Sequence, residues 1–198
     1  MKSSNYNTST FLPASLFFGI MLLASSFSQG QEIFMEVEGV TQGMISAGAS
    51  SEASLGDKAV EGHDNEMVVL SAEHTIVIPR DAQSGQPSGS RLHQPLKVTC
   101  YLDKATPLMQ QALVTGESLA AEIKFYRTNS EEPTAPPEHY YTIELQGVVV
   151  MMSRMWVPAS DPEKRQLVEY QLSYSTITWT HEVSGTEGAD DWRTSGGQ

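Results

Sequence analysis

The chain has 198 residues, with 24 Asp and Glu against 12 Lys and Arg and a formal net charge of -12. That balance argues against a groove tracking a nucleic-acid backbone and against a polybasic membrane patch, since both need clustered Lys and Arg. Apolar residues at 39% and charged residues at 18% are not the composition of a disordered acidic tail, and one cysteine excludes an internal disulfide and a Cys-based zinc site.

Residues 1–31 carry a single charge, Lys2. Phe11 to Ala24 is nearly continuous apolar sequence, and Ser25, Ser26, Ser28 and Gly30 follow. A positive start, an apolar run under ~15 residues and a small-residue exit describe a secretory signal peptide better than a spanning helix, which needs about 20 apolar residues. A retained anchor and a misplaced start, with Met21 as the true one, stay open. The domain is expected over residues 32–182, followed by a short Gly-rich tail over 183–198.

Strand signals dominate that domain. Ile33 to Glu38 predicts a short first strand, and Met67 to Pro79 a long one. Leu96, Val98, Cys100 and Leu102 share one face of the next strand, with Lys97, Thr99, Tyr101 and Asp103 on the other. Thr106 is expected to cap a helix of ~10 residues, with Pro107 at its first helical position, Gly116 at its exit and Leu108, Met109, Ala112 and Leu113 as its apolar stripe. Ile123 and Phe125 alternate with polar residues, and His139 to Met152 is a further Val-rich run. Val168, Tyr170, Leu172 and Tyr174 share a parity that switches at Ile177 and Trp179, which predicts a bulge near Ser175-Thr176. The expected fold is mainly β: a closed β-barrel formed by two sheets with one short flanking α-helix.

Three loops interrupt the strands: Gly39 to Asn65, Arg80 to Pro95 and Asn129 to Pro137. Loops of ~15 residues in a compact domain bind something or stay disordered, so the first two are candidates for function.

Catalytic chemistry is thin. His63, Asp64 and Glu66 lie close in sequence, but no further ligand stands at metal-site spacing, and a solvated loop is the expected reading. Ser84 or Ser88 could pair with His93 only through folding, and no G-x-S-x-G elbow exists. Glu131-Glu132 and Asp190-Asp191 are adjacent acids expected to be solvated. Cys100 faces the apolar side and reads as a buried thiol. No cofactor, metal or catalytic residue is expected, and a binding or assembly protein is favoured over an enzyme.

An ordered series of segments resembles the Hcp (haemolysin co-regulated protein) family of the bacterial type VI secretion system. They are VEGVTQGMISAGA at 37–49, EGHDNEM at 61–67, SGQPSGSRLHQPLKVT at 84–99 and LDKATPLMQQAL at 102–113. IKFYRT at 123–128, Asp161-Pro162, LSYSTITWTH at 172–181 and GADDWR at 188–193 complete it. The resemblance covers residues 33 to 193.

It implies a structural tube subunit: homohexameric rings stacked inside a contractile sheath, tipped by a VgrG-type spike protein and holding small effector proteins in the lumen. It implies assembly in the cytoplasm and export by the type VI machine, whereas the leader would allow Sec-dependent export. Carried over residue by residue, Gln83, Ser84, Gly85, Gln86, Pro87, Ser88, Gly89, Arg91 and His93 form a ring-stacking loop. Asp190, Asp191, Trp192 and Arg193 form a tail contact on the same or a neighbouring subunit. The alternative from the residues alone is a secreted all-β binding module acting as monomer or dimer.

Overall fold

The computed structural model describes residues 31–129 and 135–193. Its strands are β1 (Glu32–Gly39), β2 (Gly43–Met44), β3 (Met67–Glu73), β4 (Ile76–Val77), β5 (Leu92–His93) and β6 (Leu96–Tyr101), then β7 (Leu119–Arg127), β8 (Glu138–Trp156), β9 (Leu167–Ser173), β10 (Thr176–His181) and β11 (Thr186–Asp191). Among the described residues, a single-turn helix α1 (Glu52–Leu55), a 3-10 turn (Gly56–Lys58) and a longer α2 (Thr106–Thr115) complete the inventory.

All pairings are antiparallel, and the ladder closes on itself. Its path runs β8-β7-β1-β3-β6-β9 and returns to β8. The strand β8 allows this because it is 19 residues long. One side of it pairs with β7, and the other pairs with β10 over Tyr141–Gln146 and with β9 over Val149–Trp156. The expected barrel is present, with β10 and β11 continuing the sheet off the first half of β8. Thr186–Asp191, which the sequence places in the tail, is thus the last strand.

Alternation fills the interior as expected. Met35, Val37, Val98, Cys100, Ile123, Leu145, Tyr170, Leu172 and Ile177 are all buried. Burial pushes the Cys100 thiol well up, so it is an inert core group.

The parity switch is real and two-sided. Burial passes from Tyr174 to Ile177 on one strand and from Leu145 to Val148 on its partner. The pairing keeps step across the break, from Ser173↔Val149 to Thr176↔Gln146. Both chains therefore turn their faces over together, and the bulge expected near Ser175-Thr176 is not there, because no residue is inserted. Gly147 sits at this corner with φ 61°, and a Cβ on it would stand 2.7 Å from Ser175 Oγ. Glycine is the residue that takes this conformation without steric penalty. Gly147→Ala is expected to lower stability by about 1–2 kcal/mol, read as a shift in the thermal unfolding midpoint.

The helix α2 begins differently from the sequence expectation. Thr106 is its first residue and not its cap. Ala105 stands at the N-cap position, and the first turn is held by Asp103, whose Oδ1 accepts from the Thr106 N–H and Oγ1–H, each at 2.9 Å. Thr106 Oγ1 in turn accepts from the Asp103 N–H at 3.1 Å. Met109 and Ala112 are buried, whereas Leu108 is exposed, so the apolar stripe is narrower than predicted. Gln110 Nε2 donates to Ser153 Oγ at 2.6 Å and ties the helix to β8. Gly116 ends it in the left-handed conformation.

Burial pushes the Asp103 carboxyl up to about 6, against the opposing pull of its hydrogen bonds. A raised carboxyl means the folded state binds more protons. The stability it supplies is complete below the ordinary value of 3.8 and is lost as pH rises through about 6. Asp103→Asn keeps the accepting oxygen and removes the charge. It is expected to flatten the pH dependence of chemical denaturation between pH 4 and 6, a change of about 1–3 kcal/mol.

Two long segments behave differently from the sequence expectation. The loop at 39–65 is not a free binding loop, because Ile45, Ser46, Ala49 and Ser50 are buried in it. Ser46 Oγ accepts from the Val37 N–H at 3.1 Å, which pins the loop to β1. The run Met67–Pro79 is not one strand either. It breaks after Glu73, and the chain leaves the barrel as a separate two-stranded arm.

Candidate functional site

The arm is the segment between β4 and β5 together with those strands. Val77 pairs with Leu92, Ile76 with His93, and an isolated bridge joins Arg80 to Pro87. Ile76, Val77, Ile78 and Leu92 are exposed. A two-stranded ribbon is marginal alone, so this one depends on its turn and its base.

Asp81 builds the turn. Its Oδ1 accepts from the Gln83 N–H at 3.0 Å, the Ser84 N–H at 2.7 Å and Ser84 Oγ at 2.9 Å. Those bonds, led by the one from the Ser84 backbone, hold its carboxyl below the ordinary value. Gly85 takes φ 69°, which lets its N–H return to the Asp81 carbonyl at 2.9 Å. Gln83, Ser84, Gly85, Gln86, Pro87, Ser88 and Gly89 therefore form an exposed, ordered tip. Its organiser, Asp81, was missed in the sequence, although an Asp three residues before a Ser is a turn signal.

Arg91 and His93 do not belong to the tip. They turn back onto the barrel and meet the last strand. Arg91 Nε donates to Asp190 Oδ2, and Nη2 donates to Asp190 Oδ1 at 2.6 Å and to the Asp191 carbonyl at 2.9 Å. His93 Nε2 lies 2.7 Å from Asp190 Oδ2, and His93 Nδ1 lies 2.7 Å from the Tyr174 hydroxyl. The bond from Arg91 leads in holding the Asp190 carboxyl below the ordinary range. Trp192 Nε1 donates to the Tyr174 carbonyl. Arg193 Nη2 donates to Asp191 Oδ2 at 3.1 Å. The two residue sets predicted separately, loop and tail, thus meet within one subunit, and His74 and Tyr174 join them.

The remaining candidates are structural. His63 is not in a solvated loop: its ring stacks on Phe34 with centroids 3.7 Å apart. Its Nδ1 lies 2.5 Å from Oε2 of Glu66, a residue 8% exposed, and Lys124 Nζ donates to Glu66 Oε1 at 2.8 Å. Burial pushes the Glu66 carboxyl up, and the bonds from His63 and Lys124 outweigh it, leaving it lowered. Asp64 stays exposed. Ser84 is held at the tip by Asp81 while His93 is held at the base, so no Ser-His pair forms. Asp190 and Asp191 are bound to cations and are not a solvated pair. Glu131 and Glu132 lie outside the described residues. Among the described residues, no group of three or more His, Cys, Asp or Glu could hold a metal ion, and no helix is long and apolar enough to cross a membrane.

The arrangement presents an extended arm, tied at its base, with an apolar middle and a polar tip. In a double-mutant cycle, Arg91→Ala and Asp190→Ala should each lower the urea midpoint, and the double variant should lose less than the sum of the two.

The protein-family model described as "Type VI secretion system effector, Hcp" matches residues 34–181. A Pseudomonas aeruginosa protein named "Major exported protein" is 42% identical over 165 residues, covering 81% of this chain and 94% of its own. A crystal structure of an Hcp protein aligns with TM-score 0.78 at 38% identity, covering 83% of this chain and 99% of that one. The secreted protein Hcp3 from Pseudomonas aeruginosa aligns with TM-score 0.71 at 36% identity, covering 83% and 100%.

Proposed function

Because this chain belongs to the Hcp family of type VI secretion system proteins, we propose that it is the repeating subunit of a tube: six copies close into a ring, and rings stack. As a member of that family it is a secreted structural protein and not an enzyme. The tube would be expelled with a VgrG-type spike at its tip by contraction of surrounding sheath proteins, and its lumen would hold small effectors. Residues 1–31 would be removed or bypassed, so that assembly precedes export.

The observation that carries the stacking role is the arm. A ring made of one protein needs unlike surfaces that close on rotation, and stacking needs a further one. The arm supplies an exposed apolar stretch at Ile76, Val77, Ile78 and Leu92 with a polar tip beyond it. Its size favours a small, wet contact, weaker than the contacts within a ring. Such a stack forms when templated and comes apart after delivery.

Electron microscopy and native mass of the chain with and without residues 1–31 test the reading. Rings of six are expected, with longer stacks at high concentration. Ile78→Asp is expected to keep the ring and abolish the stacks. A stable monomer at every concentration would overturn the reading and favour a secreted binding module.

A further inference from the structure

The arm leaves the barrel at His74 and returns at His93, and both imidazoles converge on one phenol. Tyr174, between β9 and β10, is only 3% exposed. Its hydroxyl lies 2.6 Å from His74 Nε2 and 2.7 Å from His93 Nδ1. His93 Nε2 reaches Asp190 Oδ2 at 2.7 Å on β11.

Hydrogen-bond accounting places the protons. Asp190, ionised beside Arg91, only accepts, so His93 Nε2 carries a hydrogen. In neutral His93 the Nδ1 is then bare, and Tyr174 donates to it. The Tyr174 oxygen accepts from His74 Nε2–H. The relay His74→Tyr174→His93→Asp190 runs in one direction, with each of its three bonds given one hydrogen. Burial pushes Tyr174 up to about 12, so it remains a phenol throughout.

One added proton can be absorbed. Charged His93 donates from Nδ1, and Tyr174 turns its hydrogen to a bare His74 Nε2. A second proton has no place. Both rings then donate to one oxygen, the phenol hydrogen loses its acceptor, and two cations face each other. Their rings are already 6.3 Å apart between centroids. The other charged groups do not relieve this. Asp190 is shared with Arg91, a third cation, Asp191 pairs with Arg193, and Glu73 beside His74 pairs with Lys97 at 3.4 Å. Trp179, 6.4 Å from His74, brings no charge. Burial, and then His93, hold His74 below the ordinary imidazole value, as this geometry requires.

We propose that this relay is a proton-operated latch on the arm, closed while at most one of the two imidazoles is charged and open when both are. Opening releases β4 and β5 from the barrel and leaves the barrel itself intact. Its consequence rests on the tube reading: stacked rings lose their arm contacts in acid.

Amide hydrogen exchange of the full chain between pH 8 and pH 5, corrected for intrinsic rates, tests the latch. Residues 76–92 are expected to lose at least about tenfold protection towards pH 5 while β6 and β9 keep theirs. His74→Gln supplies an N–H donor that does not titrate, so its arm should stay protected at pH 5. Tyr174→Phe should loosen the arm at both ends of the range. Flat protection of the arm in the unaltered chain, or the same acid loss in His74→Gln, overturns the proposal. Stacks that persist at pH 5 beside a rigid arm overturn the latch and leave the tube reading standing. An arm that opens on schedule in a protein that never stacks supports the latch and overturns the tube reading.

Discussion

Backbone hydrogen bonding along β8 is the constraint from which the rest of the fold follows. A strand of 19 residues is too long to be satisfied by a single neighbour of ordinary length. It meets β7 on one side and two successive strands on the other, and that sharing closes the barrel. Closure removes two sheet edges that would otherwise invite pairing with other chains. The first half of β8 then carries β10 and β11 as an extension, so the last strand lies where the arm returns.

That placement explains the anchor. An arm of two-residue strands cannot hold itself in water. It is held because Arg91 and His93 reach a carboxylate on β11, and because His74 and His93 meet a phenol at the corner where β9 gives way to β10. The corner exists because both paired strands turn their faces together at Gly147 and Ser175. Tyr174 stands next to this corner, and its hydroxyl meets both imidazoles of the arm. Ionic contacts at the base and apolar exposure along the middle divide the arm into an anchored part and a presented part.

Much of the fold was legible in the residues. Alternation located β6, β7 and β9, because side chains on a strand must face in or out, and apolar runs located β1 and β8. The parity change marked the corner, although it reads as a bulge in the sequence and the register shows none there. Gly116 marked the helix exit correctly. Thr106 was misread as the cap, since the group that accepts its N–H is three residues earlier and is bound to it by a reciprocal pair. His63 and Glu66 looked solvated because polarity suggests exposure. In the structure Phe34 and Lys124, both distant in sequence, give them a stacked and paired environment.

The sequence by itself determined the class of fold, the strand faces, the exposed tip and the resemblance to a family, since these depend on local pattern and order along the chain. Only the tertiary structure decided that the 39–65 loop sends Ile45 and Ala49 into the core, that Met67–Pro79 divides into barrel and arm, and that β11 is a strand. It alone joined Arg91 and His93 to Asp190, and His74 to Tyr174, pairs separated by up to 100 residues. No periodicity encodes such pairs: a residue's partner across a closed barrel is set by the register of every strand between them.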